Sequence, residues 1–498
     1  MSETTLTLNL QEGNPPTLNP YVGVDLRSRC LYLALYEPLM RRNPAGTLEP
    51  AAADIVEIDS TETIYTFHIR PQTWSNGEPL TSSHFANAWK YALSPTSTAP
   101  RADLFYAIKN AEKVKKGELP LEAVKISTPD KNTLIVELEH PTPYFLDLMA
   151  SSFCAPLYVA SEKEPTCFNG PFILGPWVHD RELIFKRNPL YWDVKSVQLQ
   201  EIHFTMVKDP TTALSMYEKG ELDLVGDPFS SLPFDAIPTL MKSGELKTKL
   251  ISRIFYVFLN TSVPPLQNKS IRKALSLSLN RQELTTHLFF GESPALTPLP
   301  KTLSSLTNSQ LEKNPENSVA LFEQGLKELN LTRKTFPKIV FSYANLSGQK
   351  KFAEFVQDQW KKILGIDIEI ACSEWNVHIA NLRKKNYQMG TLHLTTLYQD
   401  PAFYLNLFRD KKTISNYPGW ENKDYCTLLD KSEKTTDKHL RAQLLKQAEQ
   451  TLFDEMPAIP VFTQNLQYLV RKNIDLVILD VGIYDFKWTR IESGNKGE

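Results

Sequence analysis

Lys351–Ile370 reads KFAEFVQDQWKKILGIDIEI, and this stretch decides the fold class. Phe352, Phe355, Val356, Trp360 and Ile363 recur at helical spacing, which predicts an amphipathic helix over 351–364 with one buried stripe. Gly365 ends that helix, since a residue without a Cβ enters a left-handed turn at little cost. Ile366, Ile368 and Ile370 then alternate with Asp367 and Glu369, the two-residue period of a half-buried strand. Helix followed by strand, repeated beyond about residue 265, implies an α/β lobe. Trp375 stands just past the strand and ahead of a further helix. In open α/β sheets, that carboxyl end is where ligands bind. Packing is the competing reading of this ring.

Working outward, short strands are predicted upstream at Thr5–Leu10, Ile64–Ile69 and Thr133–Leu138, each alternating apolar with polar side chains. Ser82–Leu93 carries Phe85, Ala88, Trp89 and Ala92 on one helical stripe, after the turn Ser75-Asn76-Gly77-Glu78-Pro79. A second helix is predicted over Ser270–Leu279. Residues 295–320 are rich in Pro and Ser and read as irregular, either a linker or a loop over a cleft. Trp89 and Trp360 fall on apolar stripes and are assigned to the core.

The chain has 498 residues, of which 42% are hydrophobic and 10% aromatic, so a disordered chain is excluded. At about 150 residues per domain, the length gives roughly three domains. The 55 basic and 57 acidic residues leave a net charge of −2, which lacks the electrostatic footprint of a nucleic-acid or anionic-membrane binder. No apolar run reaches the roughly 18 residues of a spanning helix. Met1-Ser2-Glu3-Thr4 shows no basic and then apolar leader, so no signal peptide is read. A cytoplasmic protein and a mature chain both remain open on that ground. Cys30, Cys154, Cys167, Cys372 and Cys426 form no CxxC. Cys154 and Cys167 are either a bridge in an oxidising compartment or buried thiols.

Catalytic patterns are missing. The chain has no GxSxG, P-loop, HExxH or GxGxxG, and its nine histidines neither pair at i, i+4 on a helix nor approach two cysteines. No enzyme activity, metal or cofactor is therefore expected. Glu137 and Glu139 read as a solvated strand face, and His84, His203, His287, His378 and His393 as satisfied surface or core groups.

Read in order, the remaining landmarks resemble the extracytoplasmic oligopeptide-binding family of ABC transporters. They run Leu35-Tyr36-Glu37-Pro38-Leu39, Gly46-Thr47-Leu48-Glu49-Pro50, Trp74-Ser75-Asn76-Gly77-Glu78-Pro79-Leu80-Thr81 and Asn169-Gly170-Pro171-Phe172. Arg187-Asn188-Pro189-Leu190-Tyr191-Trp192, Gly220-Glu221-Leu222-Asp223, Ile271-Arg272-Lys273-Ala274-Leu275, Glu374-Trp375 and Asp400-Pro401 follow. The resemblance covers essentially the whole chain and is closest to oligopeptide and murein-tripeptide binders. It implies an α/β, two-lobed periplasmic-binding-protein fold of the class II type with a third domain and a hinge between lobes. Domain I is expected at 1–33, 155–252 and 485–498, domain II at 34–154, and domain III at 253–484. The implied function is a periplasmic or lipid-anchored receptor that closes on short peptides and delivers them to ABC permease subunits as a monomer. A non-peptide solute on the same fold (oligosaccharide, haem or a nickel complex) is the alternative.

The resemblance also assigns ligand contacts. Val24, beside Gly23, matches an N-terminal loop along the peptide, Trp375 an aromatic pocket wall, Tyr484 a cleft tyrosine and Asp227 a polar pocket residue. Relatives hold the peptide ammonium with an aspartate where this chain has Leu397, and carry tryptophan where it has Leu394. Tyr398 and Asp400 lie in the same turn. A buried ammonium without a carboxylate is costly, so either Asp227 or Asp400 moves in, or the ligand offers no free amine there. Gln349, His378 and Arg383, with Lys350 and Lys351, are candidate partners for a ligand carboxylate, each weighed against a plain surface charge.

Overall fold

The structure, a computed structural model, describes residues 4–161, 163–306, 311–346 and 348–492. The chain divides into two units, one of residues 1–249 with 466–498 and the other of residues 250–465.

In the first unit, strand β1 (Thr5–Asn9) buries Leu6 and Leu8 and turns Thr5 and Thr7 the other way, as its alternation requires. It runs parallel to Glu201–Thr205, with Leu8 opposite Phe204, and touches Leu224–Gly226 on its other side. Glu182–Arg187 and Phe172–Val178 continue the sheet antiparallel. A separate antiparallel sheet orders Ala53–Ile58, Ile64–Ile69, Thr133–Glu137 and Ile126–Ser127. Helix α1 (Ser82–Leu93) covers it, burying Phe85, Ala88, Trp89 and Ala92. Trp89 donates its indole N–H to the Cys154 carbonyl at 3.0 Å.

One buried cation joins distant parts of this unit. Arg41, 1% exposed, donates to both oxygens of Asp485 at 2.9 and 2.6 Å and to Glu37 at 2.7 Å. Tyr191 adds its hydroxyl to the same Glu37 oxygen. Glu137 is paired with Lys109 and Glu139 accepts the Asn110 N–H, so both are solvated strand-end groups.

In the second unit, strand β2 (Ile339–Ala344) lies between parallel neighbours β3 (Ile368–Ser373) and β4 (Met389–Thr395). Strand β5 (Lys247–Leu259) pairs antiparallel with β4. Helix α2 (Gln349–Leu364) buries Phe352, Val356 and Trp360 completely, and Gly365 caps it at φ +69°. The helix begins two residues earlier than the predicted start at Lys351. The strand after it starts at Ile368, where its ladder with Ile339 begins.

One expectation is corrected and one open alternative is resolved. The stretch 295–320 is irregular only as far as Asn314, which caps a helix over Pro315–Glu328 with proline in its first turn; residues 307–310 lie outside the described residues. Its first part is no linker, since Ala295, Leu299 and Leu303 are buried among Ile254, Tyr256 and Phe258. Glu449 holds this segment through the Ser304 hydroxyl and the Ser305 N–H. Cys154 and Cys167 are separate free thiols. Both are enclosed, and burial pushes the Cys154 thiol well up, which keeps it protonated and inert.

Candidate functional site

The parallel pair β2 and β3 ends in register, Ala344 opposite Ser373, and each strand feeds a helix. Helix α2 leaves from β2, and helix α3 (Trp375–Arg383) leaves from β3. Between these exits is a pocket of about 510 Å³ lined by Asn345, Leu346, Cys372, Ser373, Glu374 and Trp375. Its volume falls within the range of about 300–1,000 Å³ for small-ligand sites. Glu374 fixes one wall: its Oε2 accepts the N–H groups of Asn376 and Val377 at 2.8 and 3.2 Å, capping α3. Trp375 is thereby the first helical residue, and its side chain stays 42% exposed, with Leu346 at 48% and Val377 at 52%. An aromatic and aliphatic wall with a polar rim suits an apolar side chain attached to a polar backbone. The nearby Asn345 N–H is already bound to the Ser373 carbonyl at 2.8 Å.

Beneath the pocket the polar groups are buried. His378 places Nε2 2.8 Å from the Thr391 carbonyl, and the Thr391 hydroxyl donates to Gln349 Oε1 at 3.1 Å. Burial lowers the His378 pKa below its usual 6.5. Neither residue is a surface charge, and the neutral imidazole is no ion-pair partner for a ligand carboxylate. Arg383 is exposed at the end of α3, and Lys350 lies 3.9 Å from Glu354.

The turn after β4 is closed by its own residues. Leu394 is half-buried, whereas Leu397 and Tyr398 are 7% and 8% exposed. Tyr404 donates its hydroxyl to the Leu394 carbonyl at 2.9 Å, and Phe403 packs edge-on against Tyr398. Asp400 is taken: Arg441 donates to its two oxygens at 2.8 and 2.9 Å. That carboxylate is not available to a ligand ammonium.

In the first unit, Asp227 and Tyr484 come together. Tyr484 donates its hydroxyl to the Asp227 carbonyl at 2.7 Å, and Asp227 Oδ2 accepts the Gln467 N–H at 3.1 Å. Tyr484 is fully buried, with its ring 5.4 Å from Phe229, so it supports the Asp227 segment instead of facing a ligand. Val24 is 48% exposed on the loop after Gly23, where a Cβ would come within 2.0 Å of the Tyr32 hydroxyl.

Residues 47–416 match the family model of bacterial extracellular solute-binding proteins, family 5 Middle. The oligopeptide-binding protein OppA of Bacillus subtilis is 36% identical over 494 residues, covering 96% of this chain and 90% of that one. The chain belongs to family 5 of the bacterial extracellular solute-binding proteins. The periplasmic murein peptide-binding protein MppA of Escherichia coli is 26% identical over 474 residues, 90% of this chain and 86% of that one. Among solved structures, Listeria monocytogenes OppA bound to peptide superposes with a TM-score of 0.80 at 26% identity, covering 99% of each chain. The family's fold is two lobes with a third domain, mixed α/β, as the landmarks implied.

In this family 5 protein, the structure brings Trp375 together with pocket residues that motif reading did not single out: Asn345, Leu346, Cys372 and Ser373. The signal that finds them is positional. They are the last residues of two parallel strands or the first beyond them. Among the described residues, no cluster of three His, Cys, Asp or Glu side chains is arranged to hold a metal ion.

Proposed function

We propose that this chain is an extracytoplasmic solute receptor for short peptides, peptidoglycan-derived peptides among them, and that it delivers them to the permease of an ABC transporter. The observation that carries this reading is the Trp375 pocket, in a chain aligned nearly end to end with a protein named for oligopeptide binding. An apolar pocket with a polar rim accommodates side chains of varied shape, and water adapts the fit. The site is a binding site, and we assign the chain no enzymatic step. We place the protein outside the cytoplasmic membrane, periplasmic or lipid-anchored, and working as a monomer. We divide the chain into domain I (1–33, 155–252, 485–498), domain II (34–154) and domain III (253–484).

The test is native mass spectrometry of freshly purified protein before and after mild unfolding. A ladder of released short-peptide masses, or a single muropeptide, is the expected result. A released sugar, haem or nickel complex would overturn the peptide assignment.

A further inference from the structure

We infer that Gln349, Thr391 and His378 form a buried polar spine that holds Trp375 in place, making His378 a positioning residue for the pocket. The inference rests on reading that pocket as the ligand site. Both pocket walls are the start of a helix: Asn345 and Leu346 lead into α2, and Ser373 and Glu374 lead into α3. Each helix needs an anchor to keep its wall in position. Thr391, on β4, supplies both anchors at once. Its carbonyl binds His378 of α3, and its hydroxyl binds Gln349, the first residue of α2.

The hydrogen bonds have only one arrangement at His378. A carbonyl accepts and never donates, so Nε2 carries a proton, and because burial disfavours a charged ring the imidazole is the neutral Nε2–H tautomer. His378 is 2% exposed, Thr391 3% and Gln349 6%. Leaving any of these groups without its partner in a buried place is costly, so the spine resists small shifts of either helix. His378 lies three residues after Trp375, on the same side of a nine-residue helix capped by Glu374. A displacement at His378 is therefore transmitted to Trp375 within one turn.

Acid charges the spine: the second proton goes to Nδ1 and leaves the Nε2–H bond to Thr391 in place. A second ring proton puts a positive charge in an enclosed site, and burial already opposes it. The titratable and charged groups on the surrounding elements are Glu374 and Arg383 on α3, Tyr343 on β2, Glu369 and Cys372 on β3, and Glu354, Asp358, Lys361 and Lys362 along α2. Lys350 and Lys351 start α2, and His393 is on β4, with Arg253 opposite Thr395 on the neighbouring strand. The imidazole's hydrogen bond goes to Thr391 and to none of these.

The experiment uses the full chain labelled with 5-fluorotryptophan, with Trp375→Phe assigning the Trp375 fluorine resonance. Without ligand, from pH 7.5 to 4.5, the Trp375 resonance is expected to titrate with a midpoint below 6.5, while those of Trp89 and Trp360 stay still. His378→Gln is expected to abolish that titration. In parallel, Thr391→Val, which keeps the carbonyl and the shape, is expected to weaken binding of the tetrapeptide AAFA about fivefold at pH 7.5, the effect of one hydrogen bond. A Trp375 resonance that ignores pH, or titrates unchanged in His378→Gln, overturns the inference. Failure of AAFA to bind wild-type protein would count against the peptide reading alone, because the ligand-free titration decides the spine separately.

Discussion

Leu397 stands where the resemblance to oligopeptide binders implied an aspartate for the ligand ammonium. Its side chain is buried in a turn that lacks a free carboxylate, because Asp400 is held by Arg441. An aspartate there would be a buried charge without a partner unless a ligand ammonium supplied one. Leu397→Asp is therefore expected to lower the melting temperature of the ligand-free protein. It should also raise affinity for tri- and tetrapeptides with a free amine over their N-acetylated forms. Equal calorimetric affinities for the two forms would refute this assignment. Trp375→Ala removes the exposed aromatic wall, and at about 1.5–3 kcal/mol for burying a large apolar side chain, binding should fall tenfold or more. Calorimetry at constant pH checks it, and unchanged affinity would place the ligand elsewhere. Trp375 was legible in the sequence because it follows a strand whose period is clear. Tyr484 was not, since an aromatic ring at a core position and one in a ligand pocket look alike in one dimension. Asn345 and Cys372 acquire meaning only when two strands distant in sequence end side by side.

Helices and strands were more legible than single residues. The stripe from Phe352 to Ile363 marks α2 because five large apolar residues at helical spacing leave one way to bury them. Its first turn was missed because Gln349 is polar and yet buried, bonded to Thr391. The stretch from 295 was misread for a related reason: prolines and serines hide three apolar anchors, Ala295, Leu299 and Leu303. What holds that segment is Glu449, a carboxyl whose pKa burial raises above 4.5. With a raised folded pKa, its contribution to stability is fully present below the unfolded value and is lost as pH rises through the folded one. Glu449→Gln lacks that loss, so its melting-point deficit relative to wild type should be smaller at pH 8 than at pH 5. A deficit that grows with pH would show that the ionised carboxylate is what holds the Ser304–Ser305 turn.

For the whole molecule, the α/β class followed from the alternation of periods, but the division into units did not. The chain leaves the first unit at Leu250 and returns at Leu466, inside strands Lys247–Leu259 and Ala458–Val470. A boundary inside a strand carries no glycine, proline or change in composition to announce it. Long-range charge is equally silent in sequence. Arg41 faces Glu37 and Asp485 at almost zero exposure, and Arg41→Met would leave two buried carboxylates uncompensated, a loss of about 3–5 kcal/mol. The melting temperature should drop by roughly 10 °C at pH 7.5. An unchanged melting temperature would refute this. His378 and His393 act in the other direction from Glu449. Their depressed folded pKa values mean that stability is intact above about 6.5 and erodes as pH falls. His393→Phe, whose ring would join Phe255 and Phe462, should flatten the melting profile of the second unit between pH 7 and 5.

The Arg41–Asp485 bond also imposes an order on biosynthesis. Its two ends are 444 residues apart. At about 5–20 residues per second, a ribosome needs roughly 20–90 s after releasing Arg41 to supply the aspartate. The inserted unit is one uninterrupted run of chain and can fold as soon as its last strand emerges. The unit that begins first must therefore finish last, its guanidinium waiting for an aspartate 444 residues downstream.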